Sequence, residues 1–305
     1  MSFHKVFVTG ATGTQGVAIC RQLRALGWDV NATSRNPSSP AAQALSSMGV
    51  NVYEGSWSDT AALSTSLAGC DLLFLNIMPD MTNMATESQY GATVLGLAKT
   101  AGVQHVVYSS GLVVPPPTDD PNDIVKISGI GKRANEAAVQ ASGIPYWTVV
   151  RPGNFMANYL SPKVEFMYPG STETGLFVLA FRPDSQLPMI DQDDIATFVI
   201  AAFREPEKFH GQMIDLVSEN TRVDRSIEVL RTTTGKDIRA KYLTDEEIVE
   251  GKKTNRFFEV QEVLRDMKRI EPTDGEKWGV KMNTFEKFAL REKKAFDETY
   301  RRVGA

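Results

Sequence analysis

Cysteine and histidine are scarce: two Cys and three His in 305 residues leave little material for disulfides or metal sites. Cys20 and Cys70 each lie in an apolar segment, where a buried reduced thiol is expected rather than a disulfide or a nucleophile. His4, His105 and His210 are scattered without metal-ligand spacing, so no metal is expected. No apolar run approaches the length needed to span a bilayer, and the N-terminus runs straight into a strand-like segment with no room for a signal peptide. The expectation is a cytoplasmic protein with no membrane partner. Charge of either sign is also lacking in excess. Thirty-three Lys and Arg against 37 Asp and Glu give a net charge of −4, so no basic field exists to attract nucleic acid and direct binding to it is not expected. No repeat or low-complexity tract is visible.

With 42% hydrophobic residues, the chain can bury one large core, or a core plus a smaller lobe. Apolar strand-like runs at Val6–Thr9, Val30–Ser34, Val50–Tyr53, Leu72–Asn76, His105–Ser109 and Trp147–Val150 alternate with helical segments, which predicts a parallel sheet with helices on both faces. After Arg151-Pro152-Gly153 the chain changes to a turn-rich, Pro/Gly-rich stretch. This places a boundary between an N-terminal domain, 1–153, and a smaller α+β lobe, 154–305, partly packed back on the sheet. In that lobe, a helix follows Asp193 or Asp194 as cap and ends at Pro206, short strands cover Met213–Val217 and Ile238–Tyr242, and a helix spans 223–234. The charged tail, 284–302, reads as a surface helix, with docking through Phe285, Phe288, Ala289 and Phe296 as the alternative.

The informative stretch is Val6-Phe7-Val8-Thr9-Gly10-Ala11-Thr12-Gly13-Thr14-Gln15-Gly16, a strand running through a glycine turn into a helix. Three glycines at this spacing suit a dinucleotide pyrophosphate: Gly10 for the turn, Gly13 for close approach of backbone amides, and Gly16 for helix packing. Phosphate then sits on the positive helix end. The second strand ends Thr33-Ser34-Arg35-Asn36-Pro37 without a carboxylate to take the ribose hydroxyls. Arg35 offers a planar, permanently charged fork for a 2′-phosphate, and Ser34 and Asn36 add hydrogen bonds, so NADP(H) is preferred over NAD(H). Asn76, Ile77 and Met78 leave the fourth strand on the ligand-facing edge of such a sheet.

Short-chain dehydrogenases use a Tyr four residues ahead of a Lys as proton donor, with a Ser from the preceding strand end orienting the carbonyl. Here Lys132 is present but Ser128 holds the Tyr position. A serine hydroxyl is a far poorer acid than a phenol, so Ser128 cannot inherit the role. Lys132 either holds the ribose or acts directly as acid/base, with a solvated surface charge as the alternative. Ser109 and Ser110 end the fifth strand where such sheets deliver side chains toward nicotinamide, with plain strand-end hydroxyls as the alternative, and Ser110 is taken with Lys132 as the catalytic pair.

Together these segments resemble the NmrA-like branch of the atypical short-chain dehydrogenase/reductase superfamily. The matching pieces are the glycine turn, Thr33 to Pro37, Tyr108-Ser109-Ser110, Lys132 with Glu136, Arg151-Pro152-Gly153-Asn154-Phe155-Met156, and Pro188 to Ile195. The resemblance implies a doubly wound Rossmann domain with a smaller substrate lobe, and a family divided between reductases and redox-sensing regulators. Carried over by position, cofactor contacts fall on Gly10, Thr12, Gly13, Thr14, Gln15, Gly16, Ser34, Arg35, Asn76, Ile77, Lys132, Pro152, Asn154 and Phe155. The loop Leu112–Asp123, with its three successive prolines, departs from the pattern.

Two functions fit these residues. The first is an NADPH-dependent reductase of a carbonyl or conjugated double bond in an apolar or aromatic small molecule. Met78, Met156 and Tyr159 then contact substrate, unless the aromatic and methionine residues beyond Phe155 form the lobe's core. The second is a non-catalytic NADP(H) sensor acting through a protein partner, which the missing Tyr favours. Self-association into a homodimer is open in both.

Overall fold

In the computed structural model, residues 4–78, 83, 85–112 and 124–304 are described, with the side chains of 85 and 124–128 excepted. The apolar runs of the first half become strands of one sheet because helices cover both of its faces, and Leu72–Leu75 and His105–Ser109 are accordingly buried at every position. In chain order the elements are β1 Lys5–Val8, α1 Thr14–Ala25, β2 Asp29–Ser34, α2 Pro40–Ser47, β3 Asn51–Glu54, α3 Thr60–Leu67, β4 Leu72–Leu75, α4 Ala85–Thr100, β5 His105–Ser109, α5 Ile124–Ala141 and β6 Tyr146–Pro152. Local chemistry sets the boundaries. The Ser39 side chain accepts from Ala42 N to start α2, Asp59 accepts from Ala62 N to start α3, and Gly27, with φ +76°, turns the chain after α1.

The chain then enters a second compact unit with β7 Asn154–Phe155, a 3-10 turn at Met156–Tyr159, α6 Lys163–Met167, α7 Ser171–Thr174, β8 Leu176–Leu179 and β9 Gln186–Ile190. It returns to the first unit for α8 Gln192–Arg204, α9 Pro206–Phe209 and β10 Gln212–Leu216. β11 Glu219–Arg222, α10 Val223–Thr234, β12 Arg239–Tyr242, α11 Asp245–Gly251 and α12 Phe257–Asp266 belong to the second unit. After α13 Gly275–Trp278, most of which lies in the first unit, α14 Phe285–Arg291 and α15 Lys293–Thr299 complete the second. The simple cut between 153 and 154 therefore gives way to two units, each assembled from several chain segments.

The first unit holds a seven-stranded, wholly parallel sheet in the order β10-β6-β5-β4-β1-β2-β3. The order reverses between β1 and β4, the switch point of a doubly wound Rossmann sheet, where a crevice opens at the strands' carboxyl ends. Phe7, Leu73, Leu75, Val106, Tyr108 and Val149 anchor the core beneath one face. On α1 the polar edge meets α8: Arg21 Nη2 lies 2.5 Å from Asp193 Oδ1, and Gln22 Nε2 donates to Asp193 O at 3.0 Å. Asp193 and Asp194 stand in the first turn of α8 rather than capping it, where their charge complements the helix dipole.

The second unit holds a three-stranded sheet, β11-β9-β7, and a parallel pair, β12-β8. Its core gathers Tyr159, Phe177, Phe285, Phe288, Phe296 and Tyr300. This corrects the expectation of a surface helix over 284–302: two short helices drive their aromatic faces fully inside, and the Tyr300 hydroxyl donates to Tyr159 O at 2.8 Å. Among the described residues no helix is long and apolar enough to cross a membrane, and no cluster of potential metal ligands occurs.

Candidate active site

β1 and β4 finish side by side, and Thr9 fastens them. Its backbone N donates to Phe74 O at 3.0 Å, and its hydroxyl accepts from Asn76 N at 2.6 Å. Immediately beyond, Gly10 takes φ +61° to turn the chain, a conformation that L side chains rarely adopt, and a Cβ there would stand 3.1 Å from Asn76 O. Gly13 N donates to Gly10 O at 3.0 Å, closing the loop, and Gly13 itself occupies the N-cap of α1. No side chain caps this helix and no acidic residue lies in its first turn, so its leading amides have neither an intrahelical partner nor a carboxylate of the helix's own first turn beside them. Thr12 and Gly13 are exposed at the tip, and Thr14 is half-buried.

Gly16 serves the loop more than the strand: its α-carbon faces Gly10 O and Ala11, leaving no room for a side chain. Gln15 is buried, and its Oε1 accepts from the Ser109 hydroxyl at 2.7 Å. That bond ties α1 to the end of β5.

At the end of β2, Arg35 is exposed and, among the described residues, paired with no carboxylate. It borders an open pocket of about 450 Å³ with Glu54, Gly55, Ser56 and Asp59. The Asp59 carboxylate is occupied in capping α3, and the Ser34 hydroxyl accepts from Asn36 N at 3.2 Å. Asn76 and Ile77 are buried at the end of β4, whereas Met78 is 63% exposed.

On the far side of the crevice, α4 and α5 meet through polar groups. Lys132 Nζ lies 3.4 Å from Glu87 Oε1, and Asn135 Nδ2 donates to Glu87 O at 3.2 Å. Burial pushes the Glu87 carboxyl above its usual range despite the opposing Lys132 charge. Glu136, which the sequence sets in one motif with Lys132, belongs instead to Arg151, whose Nε and Nη2 donate to its two oxygens at 2.9 and 2.8 Å. Burial is the largest single influence and would raise Glu136, but the Arg151 hydrogen bonds, with the Ser110 hydroxyl and the Arg151 and Arg133 charges, together hold the carboxyl low.

Ser110 is buried beside both Tyr108 and Glu136, yet no hydrogen bond of ordinary geometry ties its hydroxyl to either. Tyr108 cannot replace the missing phenol: its ring is fully buried, and burial followed by the Glu87 charge pushes its hydroxyl far up. The Ser128 side chain and the segment 113–123 lie outside the described residues, as do Pro79, Asp80 and Met81.

Pro152 is buried at the end of β6 and accepts from Leu112 N at 3.1 Å. In the second unit, Asn154 Nδ2 contacts Met189 Sδ, and Lys163 Nζ sits 5.1 Å above the Phe155 ring, where burial lowers its pKa. Met156 and Tyr159 are 0% and 2% exposed within that unit's core, so neither presents surface to a substrate and both are assigned to packing. Glu87 and Lys163 were not singled out in the sequence. Neither has a local pattern, since each is defined by what another segment brings against it.

The family model of the NmrA-like family matches residues 3–299. The chain belongs to the NmrA-like family. It is similar to a (4-alkanoyl-5-oxo-2,5-dihydrofuran-3-yl)methyl phosphate reductase of Streptomyces griseus, 36% identical over 65% of this chain and 62% of that protein. It is also similar to an NAD(P)H azoreductase of Xenophilus azovorans, 32% identical over 66% of this chain and 64% of that protein. The chain thus spans a little under two thirds of each relative's length. Among solved structures, the negative transcriptional regulator NmrA in complex with NAD matches with a TM-score of 0.75 at 19% identity, over 98% of both chains. That likeness establishes the shared Rossmann fold.

Proposed function

We propose that the protein is an NADPH-dependent reductase of a carbonyl or conjugated double bond in an apolar or aromatic small molecule. The observation that carries the cofactor assignment is an uncommitted set of positive groups among the described residues: Arg35 without a carboxylate partner, and an α1 N-terminus with no side-chain cap and no acidic residue in its first turn. The first-turn amides of α1 hold the pyrophosphate, Arg35 the 2′-phosphate, and Lys132 the nicotinamide ribose. When bound, NADPH supplies the hydride. Lys132 stabilises the negative charge that develops on the substrate and supplies the proton that the absent phenol would give, with Ser110 orienting the substrate oxygen. Met78, exposed at the end of β4, offers an apolar contact to substrate.

Support for a reductase comes from relatives named as reductases, one of an acyl oxo-dihydrofuran phosphate and one an NAD(P)H azoreductase. The two buried free thiols suit a reducing cytoplasm. The lack of a phenol at position 128 favours the second reading, a regulator that binds NADP(H) and signals to a protein partner. One experiment separates them. Purified protein is given NADPH with quinones, enones and aromatic ketones, and NADPH oxidation is followed. The reductase turns over at least one class, and Lys132→Met removes that turnover while the fold survives. No turnover, together with NADPH-dependent capture of a partner protein, selects the regulator.

A further inference from the structure

Lys132 does not stand alone on α5. The carboxyl beside it, Glu87, has no exposed side-chain surface, whereas Lys132 keeps 22% of its own. Glu87 enters from the first turn of α4 through a gap that Gly131 leaves: a Cβ on Gly131 would stand 2.7 Å from Glu87 Oε2. That second oxygen has no hydrogen-bond partner among the described residues. A buried carboxylate with one cationic partner costs more than an apolar side chain of the same volume, so packing of α4 on α5 does not require an acid here.

Among the described residues, the other groups facing it offer no second cation. Tyr108 on β5 contributes a neutral phenol, Asn135 on α5 an amide, and the Glu136 carboxylate is matched by Arg151. The charge of Glu87 therefore has one use on this face.

We propose that Glu87 is a positioning residue for Lys132, drawing its ammonium against the α4–α5 contact and so fixing the direction of its remaining N–H bonds toward the nicotinamide half of the cofactor. The proposal rests on the assignment of Lys132 to cofactor and substrate. Because burial holds the carboxyl above its usual range, the grip on Lys132 strengthens as pH rises through that raised midpoint and slackens below it.

The test is a double-mutant cycle in NADPH affinity, read by fluorescence titration. Glu87→Gln keeps size and polarity but removes the charge, and is expected to weaken NADPH about three- to tenfold. In a Lys132→Met background the same change is expected to have no effect, since the group it acts through is gone. The affinity ratio between wild type and Glu87→Gln closes toward one as pH falls below the carboxyl's midpoint. Gly131→Ala, which displaces the carboxyl while keeping it, reproduces the loss. The melting temperature of Glu87→Gln at neutral pH falls only slightly, because the Lys132 ammonium left without its partner keeps 22% of its side-chain surface in water.

An unchanged affinity in the wild-type background overturns the proposal, as does an equal loss in both backgrounds, which marks a purely structural role. If Lys132→Met alone leaves NADPH affinity untouched, the assignment of Lys132 itself fails, a result distinct from the other two.

Discussion

Replacing Gly16 by alanine tests the central claim about the cofactor loop. A Cβ at position 16 would overlap Gly10 O and stand 2.5 Å from Ala11 Cα and 2.8 Å from Ala11 C. Carbon contacts relax only near 3.5 Å, so α1 and the loop must part by roughly an ångström. All three obstacles are backbone, and no side-chain rotation relieves them. The parting strains the Gly13 N to Gly10 O hydrogen bond and, one residue back, the Thr9 clasp on Asn76.

Overpacking of this kind costs about 1–3 kcal/mol, which lowers the melting temperature of a chain this long by roughly 2–6 °C. Displacing the amides proposed to hold the pyrophosphate is expected to remove about two charged hydrogen bonds and to weaken NADPH on the order of a hundredfold. Gly13→Ala is the control. Its backbone, φ −85° and ψ 173°, suits any residue, and a Cβ there meets only Gly10 O, at 3.2 Å. Stability is then unchanged or slightly raised, since alanine restricts the unfolded chain, while a methyl at the exposed tip obstructs phosphate and weakens NADPH. Differential scanning fluorimetry and fluorescence titration read both quantities. A Gly16→Ala protein with unaltered melting and affinity, or a Gly13→Ala protein that loses more stability than it, refutes the reasoning.

Arg35→Asp is expected to weaken NADPH at least about tenfold and leave NADH nearly unaffected, because only the 2′-phosphate distinguishes them; equal losses for both nucleotides would overturn the 2′-phosphate assignment. His105, 1% exposed with Nε2 3.0 Å from Thr148 Oγ1, has its pKa lowered to about 4 by burial and then by His210. The unfolded chain therefore takes up this proton first as pH falls. The associated stability is complete above about pH 6.5 and drains away toward pH 4, on the order of 3 kcal/mol in all. Denaturant titrations of His105→Gln should lack that part of the pH dependence, and parallel curves for the two proteins from pH 7 to 4.5 would refute the assignment.

The first half of the fold is legible because the central strands β4 and β5 are apolar, β-branched or aromatic runs between turn residues, β2 and β3 keep a short apolar centre, and the helices between them are marked by a cap or a stopping glycine. Legibility fails where pairing partners are distant in sequence. β10 is readable as a short strand, but nothing near Gln212–Leu216 says that it extends the parallel sheet beside β6, some sixty residues earlier. β11, Glu219–Arg222, is entirely polar in sequence and becomes a strand only because β9 runs antiparallel beside it. The tail misleads for a different reason. Lys287, Arg291, Lys293 and Lys294 make it look solvated, yet Phe285, Phe288, Phe296 and Tyr300 fall on the inward faces of two helices that break at Glu292. A charged face and a buried one coexist on any amphipathic helix, and composition alone does not say which one has a partner.

The cofactor loop and the lysine are similarly unequal. Glycine spacing encodes the loop because Gly10 must take a positive φ and Gly16 must clear Gly10 O and Ala11, so side chains are excluded at fixed intervals, and that exclusion is written in the sequence itself. The surroundings of Lys132 are encoded by contact between helices. Their trace in the sequence is subtler: Gly91 on α4 and Gly131 on α5 each weaken a helix interior by about 1 kcal/mol relative to alanine. Such glycines are retained where a neighbour comes close, and here a Cβ on Gly91 would stand 2.6 Å from Asn135 Cγ, while one on Gly131 would meet the Glu87 carboxyl. The two glycines thus let buried polar groups, rather than apolar ones, fill the seam between α4 and α5. Glu87 Oε2, Tyr108 Oη, Ser110 Oγ and Asn135 Oδ1 all lack a hydrogen-bond partner among the described residues, a cost that an apolar seam would avoid. A chain without the usual phenol has an expensive polar seam beside the lysine proposed as its proton donor, which is where that lysine would need help to act in the phenol's place.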